Sequence, residues 1–125
     1  MAFQDGTLQL LKQVVLNPHI MTIEHAIYRQ TGEVAEFLGV DAGTIRVGDH
    51  ADLVVIDPEK LKTGLSDPIE HYDDDFGGSM RLVRRSDGVV KFVAVGGKPA
   101  MDENGLSEKF GKERFGRLLR AQRKG

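Results

Sequence analysis

Histidines and acidic residues are the side chains of this sequence best suited to chemistry. The four histidines are His19, His25, His50 and His71, and no two have the i, i+2 or i, i+4 spacing that presents two imidazoles to one metal ion. We therefore expect them to be solvated or capping residues. One local exception is His71, which lies beside the run Asp73-Asp74-Asp75. A Ca²⁺ or Zn²⁺ site at these residues is a weaker hypothesis.

Nucleophilic and phosphate-binding motifs are not recognisable in the sequence. The serines are predicted in turns or at helix caps, without the Gly-x-Ser-x-Gly pattern of a nucleophile elbow. The pairs Gly77-Gly78 and Gly96-Gly97 do not lead from a strand into a helix, as a phosphate-binding loop requires. We assign no catalytic residue and no metal ligand to this chain.

Composition excludes several classes of function. The 125 residues contain no Cys, so disulfides and zinc–thiolate sites are excluded. A net charge of −2 gives no general attraction for phosphate backbones, so we expect no nucleic-acid partner. No apolar run reaches the length of a membrane span, and we expect a cytoplasmic chain without a membrane partner. The 15 glycines against six Phe and two Tyr leave few large core residues.

The order of predicted elements is helix, helix, strands and a weak helix, which is an α+β pattern. One helix is predicted around Leu8–Val15 and ends at Asn17-Pro18. A second begins after an N-cap at Thr22 and ends at Gly39, with an apolar stripe and a glycine that suggests close backbone contact. The stripe is Ile23, Ile27, Val34 and Leu38, and the glycine is Gly32.

The second half of the chain is predicted to be mainly strands. Residues 51–57 are predicted to be a strand buried on both faces, and residues 59–79 a long loop. Residues 80–84 and 89–95 are predicted strands, joined by a hairpin turn at Ser86-Asp87-Gly88. Turns at Gly96-Gly97 and Asn104-Gly105 follow. Ser107 is a candidate cap for a polar, basic helix that reaches about Gln122.

A resemblance to a known family is carried by Gly43-Thr44-Ile45-Arg46-Val47-Gly48-Asp49-His50-Ala51-Asp52-Leu53-Val54-Val55-Ile56-Asp57. This segment resembles the stretch that follows the catalytic barrel in the metal-dependent amidohydrolase superfamily. Upstream, residues 21–35 look like the last barrel helix, and Val93–Pro99 is similar to the closing hairpin of that superfamily's β-sandwich. The opening Met1-Ala2-Phe3 and the Leu-rich helix after it resemble the N-acyl-D-amino-acid deacylase, or D-aminoacylase, branch.

The resemblance implies a fragment of such an enzyme with three parts. Residues 1–40 would be the last helices of an incomplete TIM-type barrel, 41–105 part of a small β-sandwich, and 106–125 a polar basic tail, either a short helix or extended. The family's metal ligands would lie upstream of Met1, and none of the four histidines matches a ligand position. Zinc is thus implied for the intact hydrolase, not for this chain, whose Met1 and Phe3 would line the substrate pocket.

The resemblance and the composition lead to two main hypotheses. The first is a non-catalytic C-terminal part of an enzyme that hydrolyses N-acyl-D-amino acids with metal-activated water. The second is a free-standing β-sandwich-type dimerisation or interaction module. In both cases an uncovered sheet edge would favour homo-oligomers or contact with the remainder of the enzyme.

Overall fold

The structure is a computed structural model that describes residues 6–74 and 77–121. The described residues contain α-helices α1 (Gly6–Leu16), α2 (Ile23–Gln30), α3 (Gly32–Leu38) and α4 (Pro58–Thr63). The strands are β1 (Leu53–Ile56), β2 (Ile69–Asp73), β3 (Ser79–Val83), β4 (Val90–Val95), β5 (Lys98–Asp102) and β6 (Gly105–Leu106). Helices and two antiparallel sheets together confirm the α+β class.

The larger sheet has the strand order β1-β4-β5-β6, and the smaller one pairs β2 with β3. Leu53 lies opposite Ala94, and Val93 lies opposite Met101. The turns at Gly96-Gly97 and Asn104-Gly105 join β4 to β5 and β5 to β6, as predicted. In the described part of the chain, β1 is therefore an edge strand of the larger sheet.

The main core lies between the helices and the start of β4. Its buried residues are Leu11, Val14, Ala26, Leu61, Leu65 and Val89. α1 contributes two of them because its apolar residues recur at helical spacing. Val89 directly precedes β4, and its carbonyl accepts a hydrogen bond from the backbone N–H of Asp57, which joins the helical core to the end of β1.

The predicted second helix is two helices, separated at Thr31. The Thr22 cap is confirmed, since its hydroxyl accepts a hydrogen bond from the N–H of His25, and Gly39 ends α3 in the left-handed conformation. Thr31 leaves helical geometry, and its hydroxyl donates to the carbonyl of Ile27 at 2.8 Å. This side-chain hydrogen bond competes with the regular helical pattern at the break.

The predicted apolar stripe of this region packs against the core only at its first residue, Ile23. Ile27, Val34 and Leu38 are about half exposed, with Leu38 at 52%. The buried positions are instead the small residues Ala26, Gly32 and Ala35. Small side chains permit close backbone approach, and within the described chain nothing large covers the aliphatic side of these helices.

Three further predictions about the second half are wrong. Residues 59–79 are not a loop, because they include most of α4, all of β2 and the first residue of β3. The turn at Ser86–Gly88 exists, but it connects two sheets because β3 pairs with β2 while β4 pairs with β1. β1 is not buried on both faces, since Val54 and Val55 are 57% and 51% exposed.

The predicted helix after Ser107 is also absent from the described residues. Residues 107–114 form turns with one isolated bridge between Phe110 and Glu113, and residues 115–121 have no regular secondary structure. Gly111 has φ +81°, a left-handed value at which a right-handed helix cannot continue. Of the two forms expected for the basic tail, its described part is therefore not a helix.

Candidate functional site

The segment that carries the family resemblance folds as a joint between α3 and the larger sheet. Gly43 has φ +78°, and a Cβ added there would lie 2.6 Å from the carbonyl oxygen of Thr31. The backbone of Gly43 thus packs against the break between α2 and α3, beside Gly32. This is the close backbone contact predicted for Gly32, and it is possible because Gly43 lacks a side chain; at Gly32 itself a Cβ would meet the Tyr28 ring at 2.9 Å.

Asp49 closes the first turn of the joint. Its carboxylate accepts hydrogen bonds from the Thr44 hydroxyl at 2.6 Å and from the N–H of Arg46 at 2.8 Å. The hydrogen bond from Thr44, together with the backbone N–H of Arg46, lowers the pKa of Asp49 below its ordinary value. The carboxylate therefore stays ionised and acts as a structural acceptor within the turn.

Asp52 fastens the other end of the joint to the sheet. Its Oδ1 accepts a hydrogen bond from the N–H of Gly96 at 2.6 Å. The N–H of Gly97 donates in turn to the carbonyl of Ala51 at 2.9 Å. Asp49 and Asp52, two of the three carboxylates in the motif, thus both hold turns, a role that sequence reasoning did not assign to them.

Four aliphatic side chains of the joint and of β1 are uncovered in the described part of the chain. We call these four the uncovered aliphatic residues. Ile45 is 85% exposed and Val47 fully exposed, and Val54 and Val55 on β1 are both more than half exposed. Exposed aliphatic residues on an ordered joint and on a sheet edge are typical of a surface that contacts another protein segment. The best candidate functional site of the described chain is thus an interface.

The predicted metal-site residues do not form a cluster within the described chain. Residues 6–74 and 77–121 contain no group of three or more His, Asp or Glu side chains arranged to hold one metal ion. His71 is half-buried on β2, opposite Arg81, and Asp74 follows that strand. Asp75 lies outside the described residues, so the His71 hypothesis remains a prediction.

The predicted pocket residues Met1 and Phe3 also lie outside the described residues. Among the described serines, Ser66 has a structural role. Its hydroxyl accepts a hydrogen bond from the N–H of Arg85 at 2.9 Å, and its carbonyl accepts one from the guanidinium of Arg84. Ser66 therefore fixes the end of β3 beside the segment after α4.

An open cavity of about 400 Å³ lies beside the joint, between α3 and the segment that follows it. Its lining is mostly backbone and small side chains, from Gly32, Ala35, Glu36, Gly39, Val40, Asp41, Ala42 and Thr44. On the α2–α3 side, the Tyr28 hydroxyl donates to the Glu36 carboxylate at 3.0 Å, which raises the pKa of Tyr28. The three polar side chains of the lining already have partners within the chain, because Glu36 accepts from Tyr28, Thr44 donates to Asp49 and Asp41 lies beside Arg117.

No helix in residues 6–74 and 77–121 combines the length and the apolar character that crossing a membrane requires. No protein-family model matches the sequence, and no solved structure matches it. Matching proteins include uncharacterized proteins of Mycobacterium tuberculosis and Mycobacterium bovis, each 41% identical over 105 residues. These matches cover 78% of this chain but 16% of each relative, so the chain spans about one sixth of the length of the curated relatives.

Proposed function

We propose that this chain is the non-catalytic C-terminal part of a metal-dependent amidohydrolase that hydrolyses N-acyl-D-amino acids. The observation that carries the proposal is the joint, because Asp49 and Asp52, two of the three carboxylates in the motif that resembles the superfamily, hold turns. The uncovered aliphatic residues on the joint and on β1 support a missing packing partner. The much greater length of the mycobacterial relatives is consistent with such a partner in the same polypeptide.

The zinc ion that this family implies has no fitting ligand group among the described residues. In the proposed enzyme, the metal-binding and proton-transferring residues belong to the rest of the polypeptide, and we assign no reaction step to this chain. Its own contribution is to complete the barrel wall with its helices and to supply part of a β-sandwich. Met1 and Phe3 remain candidates for lining the substrate pocket, and a cytoplasmic homo-oligomer remains the expected setting.

The amidohydrolase proposal is tested by comparing this chain with a full-length mycobacterial relative, both supplied with zinc. We expect the relative to release the free amino acid from N-acyl-D-amino acids but not from the L-enantiomers, and this chain to release none. The L-substrates and the metal-free relative are the controls. Turnover by this chain alone would contradict a non-catalytic role, and a relative inactive on all the D-substrates would contradict the family.

A second candidate function is a free-standing dimerisation module, and β1 is the observation that favours it. β1 is an edge strand, and neither Pro nor a charged residue interrupts Leu53–Ile56 to discourage pairing with another chain. This candidate predicts a dimer of the isolated chain at low micromolar concentration. Sedimentation velocity measures it, and a monomer at every concentration would contradict the module.

A further inference from the structure

Residues 109–117, which we call the strap, return across the turn between β4 and β5. Lys98 on β5 holds the strap, since its Nζ donates to the carbonyl of Arg114 at 3.1 Å and lies 3.8 Å from the Glu113 carboxylate. The same ammonium group lies 5.5 Å from the centre of the Phe115 ring. Phe115 packs edge-to-face on Phe110, with ring centres 5.6 Å apart. Lys98 is therefore the common partner of three strap groups.

A second anchor ties the strap to the segment after α3. Arg117 Nη2 donates to the carbonyl of Asp41 at 2.6 Å, and the same nitrogen lies 3.7 Å from the Asp41 carboxylate. Asp41 lines the open cavity beside the joint. The strap thus connects the β4–β5 turn to the cavity wall, two parts of the molecule that are far apart in sequence.

The attachment depends largely on exposed charged groups. The side chains of Lys98 and Glu113 are 51% and 46% exposed, and those of Arg117 and Asp41 are 35% and 61% exposed. Exposed ion pairs contribute little individually, and dissolved salt screens them. The strap is accordingly held far more weakly than the core between the helices.

We propose that the strap is a salt-releasable latch that holds the cavity wall at Asp41 against the β4–β5 turn. In the closed state, Lys98 and Arg117 keep it in place. Release frees Asp41 from Arg117 and loosens the segment 40–42 that borders the cavity. This device is independent of the proposed amidohydrolase function, because its contacts all lie within the chain.

Trypsin cleavage of the intact chain tests the latch. Lys98 binds the carbonyl of the Arg114–Phe115 bond, whereas Arg120 lies beyond both anchors. The rate of cleavage after Arg114 divided by the rate after Arg120 therefore reports the open state. In the unmodified chain, we expect this ratio to increase about 2- to 5-fold when NaCl is raised from about 0.05 to about 0.5 M. Normalisation to cleavage after Arg120 removes the effect of salt on the protease.

Lys98→Met removes the latch contacts and keeps the aliphatic part of the side chain. Because Pro99 follows Lys98, trypsin does not cut there, and the variant leaves the other cleavage sites unchanged. We expect the ratio to increase about 2- to 5-fold at low salt. Glu108→Gln, which removes a charge from an exposed side chain beside the strap and keeps every trypsin site, should leave the ratio unchanged. Equal ratios in the unmodified chain and Lys98→Met, or no response to salt, would overturn the latch.

The link to the cavity wall is tested by amide hydrogen exchange. Arg117→Ala should accelerate exchange at Ala42, whose N–H donates to the carbonyl of Val40, by about 2- to 5-fold. Arg120→Ala is the control and should have no effect. Exchange at Leu61, in the core, verifies that both variants remain folded. Unchanged exchange at Ala42 in a folded Arg117→Ala variant would overturn the connection between strap and cavity wall.

Discussion

At the scale of single residues, the joint depends on glycines that allow two backbone segments to meet. The sequence predicts such a contact at Gly32, because a glycine within a helical pattern is costly without one. The sequence does not indicate that the contacting residue is Gly43, eleven positions later. Only the structure identifies the contact. A Cβ added to Gly43 would lie 2.6 Å from the carbonyl oxygen of Thr31, and one added to Gly32 would lie 3.4 Å from the carbonyl oxygen of Gly43.

Replacement of Gly43 by Ala tests this contact. At φ +78° an alanine is strained by about 1 kcal/mol, and its Cβ would also overlap the carbonyl of Thr31. We expect a total loss of about 2–4 kcal/mol in the free energy of unfolding, measured by urea denaturation. Gly88→Ala is the matched control, because Gly88 has φ +74° but open space around its Cα. Equal losses in the two variants would contradict the close contact.

At the scale of secondary structure, α4 shows how a capped helix can lie inside a segment that lacks an apolar pattern. Leu61 is the one buried residue of this six-residue helix, so periodicity cannot reveal it. The start signal is nonetheless present, because Asp57 is the N-cap and Pro58 follows it. β2 was not predicted for a related reason. Its polar sequence has no apolar pattern, and it is a strand because it pairs with β3 across a polar loop.

The Asp57 cap leads to a pH prediction. Hydrogen bonds from the N–H groups of Lys60 and Glu59, both at 3.0 Å, lower the pKa of Asp57, and the charges of Lys91 and Lys60 act in the same direction. The ionised carboxylate therefore stabilises the fold above the pKa of the unfolded state. This stabilisation is lost as the pH falls through the lower pKa of the folded state.

Asp57→Asn keeps a hydrogen-bond acceptor at the cap but cannot titrate, whereas Asp57→Ala removes the acceptor. We expect both variants to melt at lower temperature than the unmodified chain at pH 7, with the larger decrease for Ala. The difference in melting temperature between the Asp57→Asn variant and the unmodified chain should be constant from about pH 5 to 8 and shrink below about pH 3.9. Thermal melts monitored by circular dichroism measure this, and a difference that grows with acid would refute the role of the ionised cap.

At the scale of the whole molecule, the described chain has one compact helical core and extensive uncovered apolar surface. Fully packed positions are mostly aliphatic residues and alanines, while Phe37 and Ile45 are 87% and 85% exposed. Monomeric proteins rarely leave so many large apolar side chains in water. The small number of large core residues in the composition thus accompanies extensive exposed apolar surface, which the proposed packing partner would cover.

Val54→Lys tests whether the β1 edge makes such a contact between copies of this chain. Val54 is 57% exposed, so a lysine can be accommodated in the monomer, and a charge on an edge strand opposes pairing with a second strand. We expect the dissociation constant of a dimer to increase at least about 10-fold by sedimentation velocity. Ile20→Lys is the control, because Ile20 is also 57% exposed but lies between α1 and α2, outside the uncovered aliphatic residues. An equal effect of both variants would place the contact elsewhere.

The sequence by itself determined the α+β class, the ends of the first two helical segments, the turns at 96–97 and 104–105, and the glycine contact at Gly32. These features depend on local periodicity, capping and turn chemistry, which neighbouring residues specify. Only the tertiary structure decided which strands pair, which side of α2 and α3 is buried, and that the motif carboxylates hold turns. These outcomes depend on contacts between residues such as Thr31 and Gly43 or Asp52 and Gly96, whose approach is decided by packing of the whole chain.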